Sequence, residues 1–441
     1  MKKNKRGKYI FRRILVVVLL LAIIGLGGFA VKSLFGNSNN VNANAGEDDT
    51  VVNAGADNTG NVNKDKSTGK DTANNNDGDK PQPEEPEPEP EKEDIEITMS
   101  AVGDIMFHPR EIWGGYDEAT KTFDYKPYFE KVKHILEAAD ITVGNFEGTT
   151  AGEEFEYQGY PLFNAPDEAL DAIKYAGFDV LSTVNNHCLD MRKTGVIRTI
   201  EKMGERGLAH VGTYVEKPET RVIIQDVKGI KIAFMAYTEM LNGLDTVLSA
   251  EDLDAMVNKF DVEKMKEDIA YAKENGADLI AAILHWGNEY NRSYAPRQKE
   301  LADLLIGEGV NIILGSHPHV MQETEDYLHD GKRVFVAYST GNFISNQRIE
   351  EGLDPQTEDG VILTFKIKKS GETGETTIED VSYTPTWVYR EGQGGGIYGF
   401  SYRILPAMEY MENEEYSQNA RERMARSYKD TMSKLDPNFV E

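Results

Sequence analysis

The stretch "VNIILGSHPHV", residues 310–320, places two histidines on either side of a proline directly after an apolar run. A short apolar run that ends at glycine and serine is typical of a buried β-strand. The proline disfavours a helix and indicates an extended turn, so both imidazole rings can point into one cleft. His317 and His319 account for two of the eight histidines in the chain. The stretch therefore predicts a strand that ends at a functional site.

The same pattern, a short apolar strand followed by polar residues, recurs along the chain. Strands are predicted at 95–105, 140–148, 178–187, 230–239, 278–287, 310–319, 333–343 and 359–369. Amphipathic helical patterns lie between them, for example at 125–139, 166–177, 194–207, 262–276 and 296–309. Several of these end in glycine, as a helix C-terminus prefers. The alternation predicts an α/β fold with a parallel or mixed sheet covered by helices.

Polar side chains that can bind a metal follow five of these strands. They are Asp104, Asn145, Glu147, Asn185, Asn186, His187, His285, Glu289, His317 and His319. Because the carboxyl ends of such strands gather at one edge of a sheet, where ligands bind, we expect these side chains to converge. Carboxylates, imidazoles and a carboxamide are ordinary ligands of zinc, manganese or iron. The five groups together predict a metal site.

Each of these residues also has an ordinary structural interpretation. An isolated aspartate or an Asn-Asn pair is commonly a turn residue, and a single histidine at a strand end is commonly a hydrogen-bonded core residue. The histidines in helical or loop contexts, predicted to be surface or packing residues, are His134, His210 and His329. His108 lies four residues after Asp104 and can reach the cleft. The single cysteine, Cys188, cannot form an internal disulfide, and we expect it to pack as a small apolar residue.

The N-terminal 94 residues differ in composition from the rest. Residues 1–13 carry seven lysines and arginines, and residues 14–31 contain no charge. Eighteen residues at helical rise span about 27 Å, close to the thickness of a bilayer core. These features predict a cytoplasmic tail and a single transmembrane anchor, with the remainder outside the cell. A cleaved signal peptide is the alternative, with "ANA" at 43–45 as its cleavage site.

Charge divides the chain further. Residues 32–94 are polar, then acidic and proline-rich, and we predict a disordered, extended tether. From residue 95 onward the chain has 35 basic and 60 acidic side chains, within a net charge of −27 for the whole. Such an acidic domain excludes nucleic acid as a partner, since nucleic-acid binding needs a basic surface. A bound divalent metal would be needed to attract an anionic polymer.

Six motifs occur in order: "GDIMFHPR", "GNFEG", "NNHCLD", "HWGNEY", "GSHPHV" and "YSTGNF". Over residues 97 to about 390, the set resembles the CapA-type poly-γ-glutamate capsule biosynthesis proteins, of the calcineurin-like metallophosphoesterase superfamily. The resemblance implies a two-sheet α-β-β-α sandwich over 95–390 and a C-terminal helical extension over 391–441. It also implies that the transmembrane helix and tether hold this domain outside the cell membrane.

The resemblance implies a role for each motif residue. A first divalent metal would be held by Asp104 and His319, a second by Asn186, His285 and His317, with Glu147 bridging them. His187 and Glu289 would be catalytic, His187 as proton donor or electrostatic partner, and the substrate cleft would be lined by Arg110, Asn145, Tyr290 and Asn342. The broader superfamily carries Asp-x-His in its first motif, whereas Met106 stands at that histidine position here. Whether one metal or two bind tightly therefore stays open, and His108 is a candidate to compensate.

A metal centre of this kind acidifies bound water and polarises an oxygen, and an imidazole can protonate a leaving group. The leading hypothesis is a metal-dependent hydrolase or transferase, extracellular and membrane-anchored, that acts on or exports poly-γ-glutamate or a similar anionic polymer. The first alternative is a phosphoesterase for small extracellular phosphate esters. The second is a non-catalytic assembly subunit that binds membrane synthase subunits.

Overall fold

The computed structural model describes residues 93–392 and 399–435. The tail predicted at 1–13, the anchor at 14–31 and nearly all of the tether at 32–94 lie outside the described residues. In the described ranges, no helix combines the length and the apolar character needed to cross a bilayer.

The chain alternates strands and helices in the described ranges. The strands are β1 (Ile95–Ile105), β2 (Tyr116–Asp117), β3 (Thr122–Phe123), β4 (Ile141–Phe146), β5 (Val180–Ser182), β6 (Ala209–Val211), β7 (Ile223–Val227), β8 (Ile230–Thr238), β9 (Leu279–His285), β10 (Ile312–Ser316), β11 (Thr324–His329), β12 (Lys332–Ala337), β13 (Asn342–Ile344), β14 (Asp359–Lys369), β15 (Thr376–Gly392) and β16 (Phe400–Pro406). The helices are α1 (Pro109–Gly114), α2 (Lys126–Phe129), α3 (Lys133–Leu136), α4 (Glu168–Tyr175), α5 (Arg192–Gly204), α6 (Ala250–Met256), α7 (Val262–Glu274), α8 (Pro296–Glu308), α9 (Ala407–Tyr410) and α10 (Gln418–Leu435).

Two large sheets organise these elements. The first has the order β16-β15-β14-β1-β4-β5-β6, and β13 pairs with β1 beside it. In it, β1 is parallel to β4 and to β13, and antiparallel to β14. The second has the order β11-β12-β10-β9-β8-β7, with a parallel centre of β12, β10, β9 and β8. The prediction of a mixed α/β fold built on sheets is confirmed.

The two sheets face each other across a common core. Met99 and Val143 of the first sheet belong to the same buried cluster as Phe234 and Ile283 of the second. The outer face of the first sheet packs against α2 and α4, and that of the second against α7 and α8. Central strands buried on both faces must be apolar at nearly every position, which explains the continuous apolar runs in the sequence.

Six strands were not predicted, namely β2, β3, β6, β7, β11 and β15, and three predicted segments have a different structure. The pattern at 125–139 forms two four-residue helices, because bending there buries Tyr128, Phe129 and Leu136 together under the first sheet. The strand predicted at 333–343 is divided into β12 and β13 by a turn in which Gly341 has a φ of 67°. The segment 391–441, expected to be helical, also contributes β16, which pairs with β15.

Candidate metal centre

The strand registers place the predicted site residues side by side. On the first sheet, Asp104 at the end of β1 is paired with Asn145 of β4 and with Asn342 of β13. On the second sheet, Ser316 at the end of β10 is paired with His285 at the end of β9. Parallel strands end at a common edge, so each sheet presents its polar strand ends in the same direction.

Two motif glycines allow the close main-chain approach that this arrangement needs. A Cβ atom on Gly103 would lie 2.0 Å from the carbonyl oxygen of Gly341, and one on Gly315 would lie 2.0 Å from that of Tyr338. Real side chains do not reach such distances, so only glycine fits. The main-chain N–H of Asp104 donates to Gly341 O at 3.0 Å, which fixes this aspartate beside the turn before β13.

Asp104, Glu147 and His285 form the first cluster. One ligand atom from each lies within 4.8 Å of the other two, and all three residues are buried. Oε1 of Glu147 is 3.8 Å from Nε2 of His285. Burial and the neighbouring charge of Asp104 raise the pKa of Glu147 well above its usual range, whereas burial lowers the pKa of His285 well below its own.

Glu289, His317 and His319 form the second cluster, again with ligand atoms within 4.8 Å of one another. The resemblance implied a different grouping, with His319 beside Asp104 and His317 beside His285. The structure also contains those contacts. Nδ1 of His319 is 3.1 Å from Oδ2 of Asp104, and the ring centroids of His317 and His285 are 4.8 Å apart. The two clusters therefore form one continuous centre, and Glu289 is placed among its potential ligands.

Buried polar atoms in this centre test whether a metal fits. Among the described residues, Oε1 of Glu147 and Nδ1 of His317 are buried and have no hydrogen-bond partner. Such atoms are nearly always paired in folded proteins. Burial also lowers the pKa of His317 to about 3, so its imidazole is neutral and keeps a lone pair at physiological pH. A carboxylate oxygen and an imidazole nitrogen in this state fit a divalent cation.

Asn186 lies at the same centre. Its Oδ1 is 3.0 Å from Nε2 of His285, and it is fully buried. Its carbonyl oxygen is therefore beside the first cluster, where the resemblance implied a ligand.

The His-Pro-His turn has an unexpected backbone. His317 and His319 have φ angles of 95° and 57°, so the proline does not hold the extended turn predicted from the sequence. Left-handed backbone costs about 1–3 kcal/mol at a non-glycine residue and is found mainly at functional sites. Tyr290, with a φ of 63°, donates its main-chain N–H to Pro318 O at 2.8 Å. This bond holds the "HWGNEY" loop against the histidine turn.

Further polar groups orient the potential ligands. The Ser316 hydroxyl lies 2.9 Å from Nδ1 of His285. Asn145 Nδ2 donates to Oδ1 of Asp104 at 2.8 Å, and Asn342 Oδ1 accepts from Nδ1 of His319 at 3.1 Å. Both asparagines were predicted to bind substrate, but they are fully buried and bonded to the ligand side chains. The structure thus places them behind the ligands.

His187 is held by two residues that sequence reasoning missed. Its Nδ1 is 2.8 Å from Oδ2 of Asp190, and its ring packs edge-on against Phe163 at a centroid distance of 4.6 Å. The same carboxylate oxygen accepts the main-chain N–H of Phe163 at 2.6 Å. The sequence contained a signal for Asp190, which is the last residue of the "NNHCLD" motif and lies three positions after the histidine. Phe163, on a hairpin between β4 and α4, had no comparable signal.

The other predicted site residues lie nearer the surface. Tyr290 is 38% exposed, and its ring centroid is 6.2 Å from that of His319. Arg110 on α1 forms an ion pair with Glu351 at 3.3 Å and lies over the ring of Phe400.

Burial raises the pKa of Cys188 to about 12, which suits its predicted packing role.

Met106 replaces a histidine of the superfamily motif, so the first metal would lack one ligand unless another residue such as His108 supplies it. Met106, at the position of the superfamily histidine, is buried in the core. His108 belongs to neither cluster. Its Nδ1 instead lies 3.2 Å from the buried carboxyl group of Glu111. The structure therefore does not place His108 as a substitute ligand.

The amino-acid sequence is similar to those of two known capsule biosynthesis proteins. The chain is 31% identical over 293 residues to a capsule biosynthesis protein CapA of Bacillus anthracis, covering 65% of this chain and 66% of that protein. It is 29% identical over 306 residues to a PGA biosynthesis protein CapA of Bacillus subtilis, covering 68% and 75% respectively.

Solved structures give weaker likenesses. The calcineurin-like phosphoesterase YfkN of Bacillus subtilis has 14% identity and a TM-score of 0.40, covering 77% of this chain and 98% of that one. The NAD nucleotidase of Haemophilus influenzae has 13% identity and a TM-score of 0.41, covering 78% and 64%. The assignment depends instead on the family model described as bacterial capsule synthesis protein PGA_cap, which matches residues 98–347. The chain belongs to this bacterial capsule synthesis protein family.

Proposed function

We propose that this protein is a metal-dependent hydrolase or transferase of capsule biosynthesis, acting on an anionic surface polymer such as poly-γ-glutamate. One observation carries the chemical part, namely the buried carboxylate–imidazole centre in which Glu147 Oε1 and His317 Nδ1 have no partner within the described chain. Family membership and the CapA relatives support the biological part.

The residues that would hold divalent cations are those of the two clusters. Asp104, Glu147 and His285 supply one set of donor atoms, and Glu289, His317 and His319 supply the other. With a divalent cation held by these residues, the site would supply an acidified water and would polarise the oxygen of a phosphoester, amide or acyl phosphate. Neutral imidazoles and ionised carboxylates are the protonation states that binding requires.

His187 would move the proton that the proposed reaction needs. Its Nδ1–H donates to Asp190, which fixes the ring and leaves Nε2 as the nitrogen that exchanges a proton with the leaving group. Phe163 packs against the ring and limits its rotation. Correctly placed general acids contribute about 10²- to 10⁴-fold to the rate.

The acidic composition fits an anionic substrate only through a bound cation. The chain from residue 95 onward has 60 acidic and 35 basic side chains. A carboxylate-rich polymer would be repelled by this surface and drawn to a divalent cation at the strand ends. Tyr290 and Arg110 would contact the polymer beside the centre. We further propose that residues 14–31 anchor the protein with this domain outside the cell, where such a polymer accumulates and where synthase subunits can associate.

The test is incubation of the purified full chain, loaded with Mn²⁺ or Zn²⁺, with γ-linked polyglutamate and separately with an aryl phosphate. The proposal expects the length distribution of the polymer to change and this activity to be lost in His317→Ala and His187→Ala. His134→Ala, at an exposed histidine, is the matched control. Turnover of the aryl phosphate alone would favour the small-ester phosphoesterase. No turnover of either, with normal capsule in cells carrying His187→Ala, would favour a non-catalytic assembly subunit.

A further inference from the structure

A second histidine–carboxyl pair lies beside Phe163. His108 and Glu111 have the same three-residue spacing as His187 and Asp190, and Nδ1 of His108 is 3.2 Å from Oε2 of Glu111. The His108 ring packs edge-on against Phe163 at a centroid distance of 5.1 Å and an interplanar angle of 86°. The two imidazoles therefore share one aromatic neighbour, although they come from different strand ends.

The free nitrogen of His108 is available to a ligand. Glu111 accepts the main-chain N–H of His108 at 2.7 Å, as the third residue of a helix does in a capping box, and this explains the glutamate. The capping role of Glu111 involves only the Nδ1 side of His108. The other ring nitrogen, Nε2, has no hydrogen-bond partner among the described residues. The side chain is 11% exposed, so this edge of the ring is not sealed by the fold.

The hydrogen bonds at Nδ1 decide where the ring proton lies. The main-chain N–H of Asn346 points at Nδ1 from 3.2 Å, and since an N–H can only donate, Nδ1 accepts and the proton is on Nε2. Burial raises the pKa of Glu111, which favours its protonated form and removes repulsion between its oxygen and the Nδ1 lone pair. His187 differs because no main-chain N–H of the described residues points at its Nδ1, so this nitrogen is free to donate to Asp190.

We propose that His108 is a substrate-binding residue whose Nε2–H donates to an anionic oxygen of the substrate, a carboxylate or phosphoryl oxygen, beside Phe163. The hairpin that carries Phe163 supports this placement, because its Gly159 lies so close to the His108 Cα that a Cβ there would be 2.7 Å away. This inference takes the identity of the polymer from the proposed function, whereas the assignment of His108 as a hydrogen-bond donor does not depend on it.

The test measures anion binding and metal binding separately. The full chain is loaded with Mn²⁺, and its affinity for orthophosphate and for γ-linked polyglutamate is measured by calorimetry for the wild type, His108→Phe, His108→Gln and the surface control His329→Phe. A hydrogen bond to a charged group is worth about 10- to 100-fold in affinity. We expect His108→Phe to lose about this factor for at least one probe, His108→Gln to retain most of the affinity through its amide donor, and metal content to be unchanged in all.

Each outcome decides the inference. Wild-type affinity in His108→Phe would overturn it, as would a parallel loss of metal and anion, which would make His108 a residue of the metal centre. If His108→Phe does not fold, His108→Gln decides by keeping or losing the affinity. If the wild type binds orthophosphate but not polyglutamate, the proposed polymer substrate is rejected, and the role of His108 is decided by the phosphate affinities of the variants. If the wild type binds neither probe, both proposals are overturned.

Discussion

Ser316 on β10 lies directly opposite His285 on β9, with its hydroxyl oxygen 2.9 Å from Nδ1 of the imidazole. The substitution Ser316→Ala removes this partner and little else, because the hydroxyl is the only group lost from a buried position. Without a cation, Asn145 Nδ2 lies 3.4 Å from Nδ1 and Asn186 Oδ1 lies 3.0 Å from Nε2, so the ring proton is on Nε2. A cation at Nε2, the nitrogen that faces Glu147, would require the proton on Nδ1, where the Ser316 hydroxyl can accept it. The hydroxyl therefore acts on the metal through His285.

Loss of such a supporting partner costs about 10- to 100-fold in metal affinity, or about 1.4–2.7 kcal/mol. Titration calorimetry with Mn²⁺ and Zn²⁺ measures this directly, and urea unfolding of the metal-free protein reports the separate cost in stability. Ser427→Ala is the matched control, since Ser427 is equally buried but bonds to a main-chain carbonyl on β15. Equal metal affinity in Ser316→Ala, Ser427→Ala and the wild type would refute the reasoning that His285 is a ligand oriented from behind.

Three other contacts can each be tested by a substitution. Gly315→Ala, whose Cβ would lie 2.0 Å from a carbonyl oxygen, should lower the free energy of urea unfolding by at least about 2 kcal/mol, whereas Gly307→Ala, in open space on α8, should raise it by up to about 1 kcal/mol. Asp190→Asn should lower turnover by about 10²-fold without changing metal content, as measured by polymer length and elemental analysis. Burial raises the pKa of Asp359 to about 7, so the folded state binds its proton more tightly than the unfolded chain with its pKa near 3.9. Its contribution to stability is therefore present at low pH and lost between about pH 4 and 7, and in metal-free unfolding Asp359→Asn should remove this part of the pH dependence.

The strands were the most predictable part of the fold. The bounds predicted for 95–105 and 359–369 are those of β1 and β14. Both strands lie inside the first sheet and place apolar side chains in the common core, Ile97, Met99 and Ala101 from β1 and Val361, Leu363, Phe365 and Ile367 from β14. The edge strand β11 was missed, because its side chains are only partly buried or exposed and four of its six residues are ionisable.

The convergence of site residues was predictable for a topological reason. Asp104, His285 and His317 come from separate parts of the chain, but each directly follows or ends a parallel strand, and parallel strands share an edge. Their detailed geometry was not predictable. Positive φ angles at His317 and His319 depend on contacts with the Tyr290 loop, and the place of Phe163 between two histidines depends on a hairpin without a periodic pattern.

The proposed chemistry depends on the divalent metal centre at the strand ends. Elemental analysis and calorimetry of the purified full chain, with Asp104→Ala and His317→Ala alongside the wild type, test it most directly. We expect the wild type to retain Mn²⁺, Zn²⁺ or iron and each substitution to lower the affinity at least about tenfold while the protein stays folded. A folded wild type that binds no divalent cation after loading would contradict it.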